Sequence, residues 1–356
     1  MAIDNESLLR RLFRQLRRKA RLLRWAAGIG MPSLGKNARL LLIYDLSSQP
    51  FSLGDLLVMQ EAALIVREQE NLDKIDVAVV YDGDRPVVDD PAFREITGDS
   101  FLFHLSSILP AAQVNPHLGS AFLFDSHEAL ESFIADNTMS YRVWPPANLY
   151  SSREYLFYHC FNEFFFDYYT SHKRLPAMRS RPAARSWAQN FFRQHSGGQI
   201  MGTIQLRRNP ANPARNSVYD VWFSFFRYCQ DKYPVKFLII CAPHEVDPGF
   251  RDLPNVVVAK DHCTSLEQDL ALIEEAAFHM GASSGPSTIC QFNPKPYCIF
   301  GWLIDPAVFK GITVDQHRHR FYFSSEYQNW IVHHETLELL KQEFDRMWPA
   351  IKAGYS

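Results

Sequence analysis

Apolar and polar residues recur along this chain in two periods, and the changes between them outline its elements. Near the start, ESLLRRLFRQLRRKARLLRW repeats at helical spacing. Leu9, Leu12, Leu16, Ala20 and Leu23 share one face with Phe13 beside them, and Arg10, Arg14, Arg17, Arg21 and Arg24 lie opposite. This predicts a basic amphipathic helix within residues 1–30. Short continuous apolar runs follow: RLLLIYD (39–45), IDVAVVYD (75–82) and SAFLFD (120–125), each ending in aspartate. These read as buried strands. Between the first two, Leu56, Met59, Ala63 and Val66 give a helix over 55–70 its inward face. Strand, helix, strand in this order implies parallel βαβ units.

The second half repeats the plan. QIMGTIQL (199–206), VKFLIIC (235–241), NVVVA (255–259) and YCIFG (297–301) predict strands. SVYDVWFSFFRYCQ (217–230) predicts a helix, as does 264–280, where Leu266, Leu270, Ile273 and Ala277 face inward. Ser265 and Gln268 have the spacing of a capping box at its start. Residues 150–195 are rich in aromatics, then basic, and are broken by Pro176 and Pro182. They read as a helix and an interdomain linker near 174–186. ETLELLKQEFDRMWPAI predicts a closing helix within 335–356, expected to pack back on the first domain. The outline is an α/β chain of two Rossmann-like domains, 36–180 and 190–334. Ligands of such sheets bind beyond the carboxyl ends of the strands, so the cleft between the domains is the expected site.

Charge sharpens this outline. The chain of 356 residues carries only −2, yet residues 1–25 hold eight basic side chains against Asp4 and Glu6, a balance of +6. The rest therefore carries −8, which argues against a nucleic-acid-binding body. A basic amphipathic helix suits an anionic membrane surface, with Leu, Phe and Trp25 in the interface; packing on the chain itself or on a partner would use the same pattern. None of its apolar runs is long enough to span a bilayer. Cys160, Cys229, Cys241, Cys263, Cys290 and Cys298 form no C-x-x-C pair, and several sit in apolar runs, as buried thiols of a reducing compartment do. No ligand cluster for a metal is evident. The 27 Phe, 15 Tyr and 7 Trp fit either a filled core or a stacking cleft, which composition does not separate.

The richest chemistry lies in GASSGPSTICQF, residues 281–292. With MGAS as a strand and Pro286 at the first helical position, Ser284 or Gly285 becomes the cap. The amides of Ser287 and Thr288 would then project from a helix end that favours an anion, and the serine hydroxyls, Ser283 included, add donors. Ordinary capping uses the same residue types. Set after a strand–helix unit in the second domain, the segment resembles the donor-site signature of GT-B glycosyltransferases, most closely the heptosyltransferase type. In that group a Ser-Gly-Pro turn opens the helix that holds the nucleotide-sugar diphosphate. LLLIYDLSSQPFSLGDLLVMQEAALIVRE is similar to that family's first strand, loop and helix around a Leu-Gly-Asp element. The resemblance implies a GT-B-like fold with an acceptor-side first domain and a donor-side second domain. It implies Asp55 as catalytic base, and Ser283, Ser284, Gly285, Pro286, Ser287 and Thr288 as diphosphate contacts. TIQLRRNPANPARNS looks like the start of the donor domain, implying Arg207 and Arg208 on the diphosphate and Arg215 behind them. His244, after FLIIC, is a further nucleotide or acceptor contact.

These readings predict metal-independent, inverting glycosyl transfer from a nucleotide-sugar, which serves as co-substrate with no cofactor. The acceptor is expected to be a glycan or lipid-linked molecule of cell-surface polysaccharide or lipopolysaccharide synthesis. Residues 6–27 are expected on the inner face of a membrane, with a cytoplasmic body. Three alternatives stay open: a metal-dependent GT-A enzyme using Asp82 and Asp84 with Asp89 and Asp90 nearby, a GT-B-fold sugar-nucleotide epimerase, and a non-catalytic nucleotide-sugar-binding protein. GASSG lacks the glycine spacing of a nucleophile elbow.

Overall fold

The computed structural model describes residues 38–49, 52–81, 105–106, 108–146, 153–210, 213–301 and 304–355. The predicted basic helix of residues 1–30 lies outside them. The first sheet has four parallel strands: β1 (Arg39–Asp45), β2 (Ile75–Val80), β3 (Leu118–Phe124) and β4 (Tyr141–Trp144), in the order β3-β2-β1-β4. Residues of β1 and β2 are almost wholly buried, which is why their apolar runs are continuous rather than alternating. Helix α1 (Leu53–Gln69) makes the crossover between them. Ser52 caps it, accepting a hydrogen bond from the Asp55 amide at 3.3 Å. Helix α2 (His127–Asp136) follows β3 and is capped by Ser126.

The second sheet has eight strands in the order β10-β11-β12-β9-β8-β5-β6-β7. Its parallel part comprises β5 (Ile200–Gln205), β6 (Val235–Ile240), β7 (Val256–Val258), β8 (His279–Ala282), β9 (Tyr297–Phe300) and β12 (Gln328–Ile331). β10 (Thr313–Asp315) and β11 (Arg318–Arg320) add antiparallel strands at one edge. The chain runs outward from β5 to β6 and β7, then returns to lay β8 on the other side of β5. The crevice beyond the carboxyl ends of β5 and β8 is thus the topological switch point, where open α/β sheets bind ligands.

The segment between the domains is a helix in three parts. α3 (Arg153–His159) passes into a π-helical turn (Cys160–Phe165), and α4 (Phe166–His172) follows. It seams the halves together with aromatic rings. Phe161 stacks on Phe321 at 4.7 Å between centroids, and Phe165 meets Phe292 edge-on at 5.5 Å. Tyr322 donates its hydroxyl to the Phe161 carbonyl at 2.8 Å. Much of the aromatic content is therefore core and seam.

Several expected boundaries move. The linker is shorter than 174–186, because Pro182 does not interrupt a helix but starts one, α5 (Pro182–His195), where a missing amide costs nothing. The helix expected over 264–280 ends at Glu275 as α7 (Leu266–Glu275), and His279 and Met280 belong to β8. Its capping box of Ser265 and Gln268 is present. The closing helix α8 (Leu337–Tyr355) packs on the second domain, not back on the first. Leu340, Phe344, Met347 and Ile351 enter the core under α6 (Tyr219–Gln230), where Phe344 meets Phe225, Phe237 and Phe278. No described helix is long and apolar enough to cross a membrane.

Candidate active site between the two sheets

The opening turns of the two domains touch. Gly54, in the first turn of α1, lies so close to the second domain that a methyl group there would sit 2.9 Å from Thr288 Oγ1 and 3.6 Å from Gly285 Cα. A methyl on Gly285 would sit 2.9 Å from Leu53 Cβ and 3.3 Å from the Gly54 nitrogen. Only hydrogen side chains permit this approach. The structure thus brings Leu53-Gly54-Asp55 against Gly285–Thr288. The cap of α1 is Ser52, and Asp55 is half-buried in the third position of that helix. It acts on the π-helical turn, where burial and then the Asp55 charge push the Cys160 thiol up.

The segment after β8 differs from its expected form. Residues Pro286–Phe292 make a 3-10 helix, not an α-helix. The Ser287 amide donates to the Ser284 carbonyl and the Thr288 amide to the Gly285 carbonyl, both at 3.1 Å. These amides close the turn and do not project from it, correcting their expected role as free anion donors. The Ser287 hydroxyl is also spent: it donates to the Ala282 carbonyl at 3.2 Å and meets His279 Nε2 at 3.0 Å. His279 Nδ1 pairs with Thr203 Oγ1 at 3.0 Å, and burial lowers the imidazole pKa to about 3. A neutral histidine thus pins the turn to β5. Ser287 and Thr288 are buried, while Ser283, Ser284, Gly285 and Pro286 keep partial exposure.

The loop after β5 supplies the cations. Arg215, ending a short 3-10 turn (Pro213–Arg215), donates through Nη2 to the Ser283 carbonyl and, at 3.2 Å, to the Ser283 hydroxyl. Arg207 and Arg208 diverge. Arg208 places its guanidinium 4.0 Å over the Tyr219 ring and 3.9 Å from Asp247. Arg207 turns inward: its Nε is buried and has no hydrogen-bond partner, and burial, partly opposed by Glu245, lowers its pKa. A buried guanidinium nitrogen without an acceptor is costly. An oxyanion at the switch point would supply that acceptor.

Glu245, which the sequence did not single out, fixes this geometry. It accepts the Arg208 amide at 2.8 Å and the Ala242 amide at 3.0 Å, tying the loops after β5 and β6 together. His244, beside it, is exposed at the same carboxyl edge. Asp45 and His127 were also missed. At the end of β1, Asp45 meets His127 Nε2 at 2.8 Å and accepts from the Ser47 hydroxyl at 2.7 Å. Burial raises the carboxyl pKa, but the bonds from His127 and Ser47 outweigh it and hold the group below its usual range. Asp82, Asp84, Asp89 and Asp90 lie outside the described residues. Among the described residues no group of three or more His, Cys, Asp or Glu is placed to hold a metal.

Two open, largely parallel sheets whose opening turns meet define the GT-B type of fold, and a solved structure agrees. The sequence itself matches no protein-family model and no curated protein. In structure the chain is similar to E. coli ADP-heptose LPS heptosyltransferase II, with a TM-score of 0.51 at 11% identity over 88% of this chain and 99% of that one. It also aligns with a family 9 glycosyl transferase from Veillonella parvula, with a TM-score of 0.49 at 12% identity over 90% of this chain and 99% of that one. The fold is heptosyltransferase-like GT-B.

Proposed function

We propose that the protein is a glycosyltransferase that moves a sugar from a nucleotide-sugar donor to a glycan or lipid-linked acceptor. The observation that carries this reading is Arg207, whose buried Nε lacks an acceptor at the switch point of the second sheet. Beside it stands the turn at Ser283–Pro286, held by Arg215. Departure of a nucleoside diphosphate leaves negative charge on its phosphate oxygens. Preorganised guanidinium groups and hydroxyls offset that charge without a metal. In this reading Arg207, Ser283 and Ser284 meet the diphosphate, while Arg215, Gly285, Pro286, Ser287 and Thr288 build the turn. Arg208 and His244 line the outer edge, toward the nucleotide or acceptor.

Asp55 is the proposed base. It takes the acceptor hydroxyl proton as that oxygen attacks the anomeric carbon and the carbon–oxygen bond to the diphosphate breaks, inverting the centre. The similar heptosyltransferase supports the fold side of this reading, and ADP-heptose, for which that enzyme is named, is one member of the donor class. Placement of the chain on the inner face of a membrane through residues 6–27, in surface-glycan synthesis, is part of the same proposal and rests on the basic amphipathic pattern.

The test is calorimetric titration of the full chain with nucleoside diphosphates, with and without EDTA. Saturable binding that EDTA leaves unchanged is expected, weakened roughly ten- to a hundredfold in Arg207→Gln by loss of charge-assisted bonds. Binding that requires Mn²⁺ and disappears in Asp82→Ala would establish the metal-dependent alternative instead.

A further inference from the structure

The short stretch between the domains is anchored at both ends. On the first-domain side, Arg174 pairs with Glu68 of α1, its Nη1 standing 3.4 Å from Oε2. On the second-domain side, Arg179 reaches Glu274 of α7 at 3.2 Å, and the Ser180 amide donates to the same carboxylate at 2.7 Å. Arg181 clasps Glu267 with two bonds, and Arg185 reaches Glu275 at 2.7 Å. Only Leu175, Pro176, Ala177 and Met178 lie between the two anchors. That four-residue span carries the chain from one domain to the other.

A cavity of about 270 Å³ opens at this span. Its walls are Leu64, Pro116, Pro176 and Ala177, and its polar lining is Arg67, Arg174, Arg179, His117 and a single carboxylate, Glu68. Arg174 is neutralised by Glu68, and Arg179 by Glu274. Arg67 is not matched in this way. Its Nε donates to the Asp73 carbonyl at 3.1 Å, and no ion pair is formed by its guanidinium among the described residues. Asp73 and Glu68 favour its charge, but burial outweighs them and lowers its pKa. His117 opposite is held below its usual pKa by burial and then by Arg67 and Lys74, so the imidazole adds a neutral donor or acceptor. The cavity is separate from the transfer cleft. Arg67 lies twelve residues along α1 from Asp55, roughly 18 Å at the helical rise.

We propose that this linker cavity is a second ligand site, which takes a small phosphate-bearing anion between Arg67 of the first domain and Arg179 of the linker. The planar fork of Arg67 matches two phosphate oxygens, and buried Leu64 and Pro176 form part of the wall. An anion held there bridges the two domains, because Arg179 is fastened to the second domain. The proposal does not depend on glycosyl transfer.

The experiment uses the full chain and inorganic phosphate. Calorimetry should show a saturable component that weakens tenfold or more in Arg67→Gln and persists in Arg207→Gln, where any phosphate held in the cleft is lost. In the unaltered chain, saturating phosphate should protect Arg67 from an arginine-directed dicarbonyl reagent, read by mass spectrometry, and leave Arg208 labelled. This second reading needs no variant to fold. No saturable binding up to about 10 mM phosphate, some tenfold above a dissociation constant of about 1 mM, overturns the proposal. So does full labelling of Arg67 in saturating phosphate. Binding lost in Arg207→Gln but kept in Arg67→Gln would place the phosphate in the cleft and also overturn it. Failure of nucleoside diphosphates to bind would count against the proposed transfer reaction and leave these readouts intact.

Discussion

Gly285→Ala tests the contact on which the geometry of the candidate site rests. Gly285 has φ −51° and ψ −49°, the right-handed region that alanine adopts freely, so the substitution adds no backbone strain. What it adds is a methyl 2.9 Å from Leu53 Cβ and 3.3 Å from the Gly54 nitrogen. Carbon atoms rest about 3.5–4.0 Å apart, so the first turn of α1 must retreat by roughly 0.6–1.1 Å. Neither neighbour is the free end of a side chain that could swing aside. Overpacking of this kind costs about 1–3 kcal/mol. If the cost falls on the contact between the domains, the closed arrangement loses about five- to 150-fold in population. The assay pairs transfer kinetics with a thermal scan: kcat/KM should fall by that factor while the folded chain keeps its secondary structure. A kcat/KM within twofold of the unaltered chain would refute the claim that turnover needs these two turns in contact.

Three further outcomes follow from the same geometry. Asp55→Asn should lower transfer by about a hundredfold or more, the scale of general-base catalysis, and leave nucleoside diphosphate affinity in place; unchanged turnover removes Asp55 as base. Glu61, fully buried in α1 with neither carboxylate oxygen hydrogen-bonded, is pushed well above its usual 4.5 by burial. The folded chain therefore keeps a proton that the unfolded chain releases, so its contribution is full below pH 4.5 and is lost as pH rises through the folded value. Glu61→Gln should flatten the fall in thermal midpoint as pH rises above 4.5, and a parallel slope would count against it. Deletion of residues 1–27 should abolish salt-sensitive binding to vesicles of anionic lipid, whereas equal binding by the shortened chain rules out that helix as the anchor.

What the sequence revealed, and what it hid, divides along the range of the interactions. The buried strands were legible because each is short, apolar and bounded: Arg39–Asp45 and Val235–Ile240 lie where their patterns place them. Local capping was legible too, as Ser265 and Gln268 show. The form of Pro286–Phe292 was not. Its residues from Ser287 to Phe292 are all buried, so no polar face exists to set a helical period, and the 3-10 geometry comes from tertiary packing. The partner of α8 was hidden for a related reason. An amphipathic stripe says that a face is covered, but the rings of Phe225, Phe237 and Phe278 decide by what.

The same distinction explains which site residues could be named in advance. Gly54, Asp55 and Gly285 stand in local motifs, so pattern alone could single them out, and their contact across the fold follows from the place of each turn after its strand. Asp45 and His127 are 82 positions apart and acquire meaning only when β1 and α2 converge. Glu245 looks like an ordinary loop acid until its two oxygens are seen holding amides from different strand ends. Arg207 and Arg208 are chemically identical neighbours in sequence, yet one stacks on Tyr219 while the other buries an unpartnered nitrogen at the switch point. Residue type gave both arginines the same prospect; the fold separates them, because consecutive side chains leaving a strand point to opposite sides. The one turned inward carries the desolvation cost that an anionic ligand would offset.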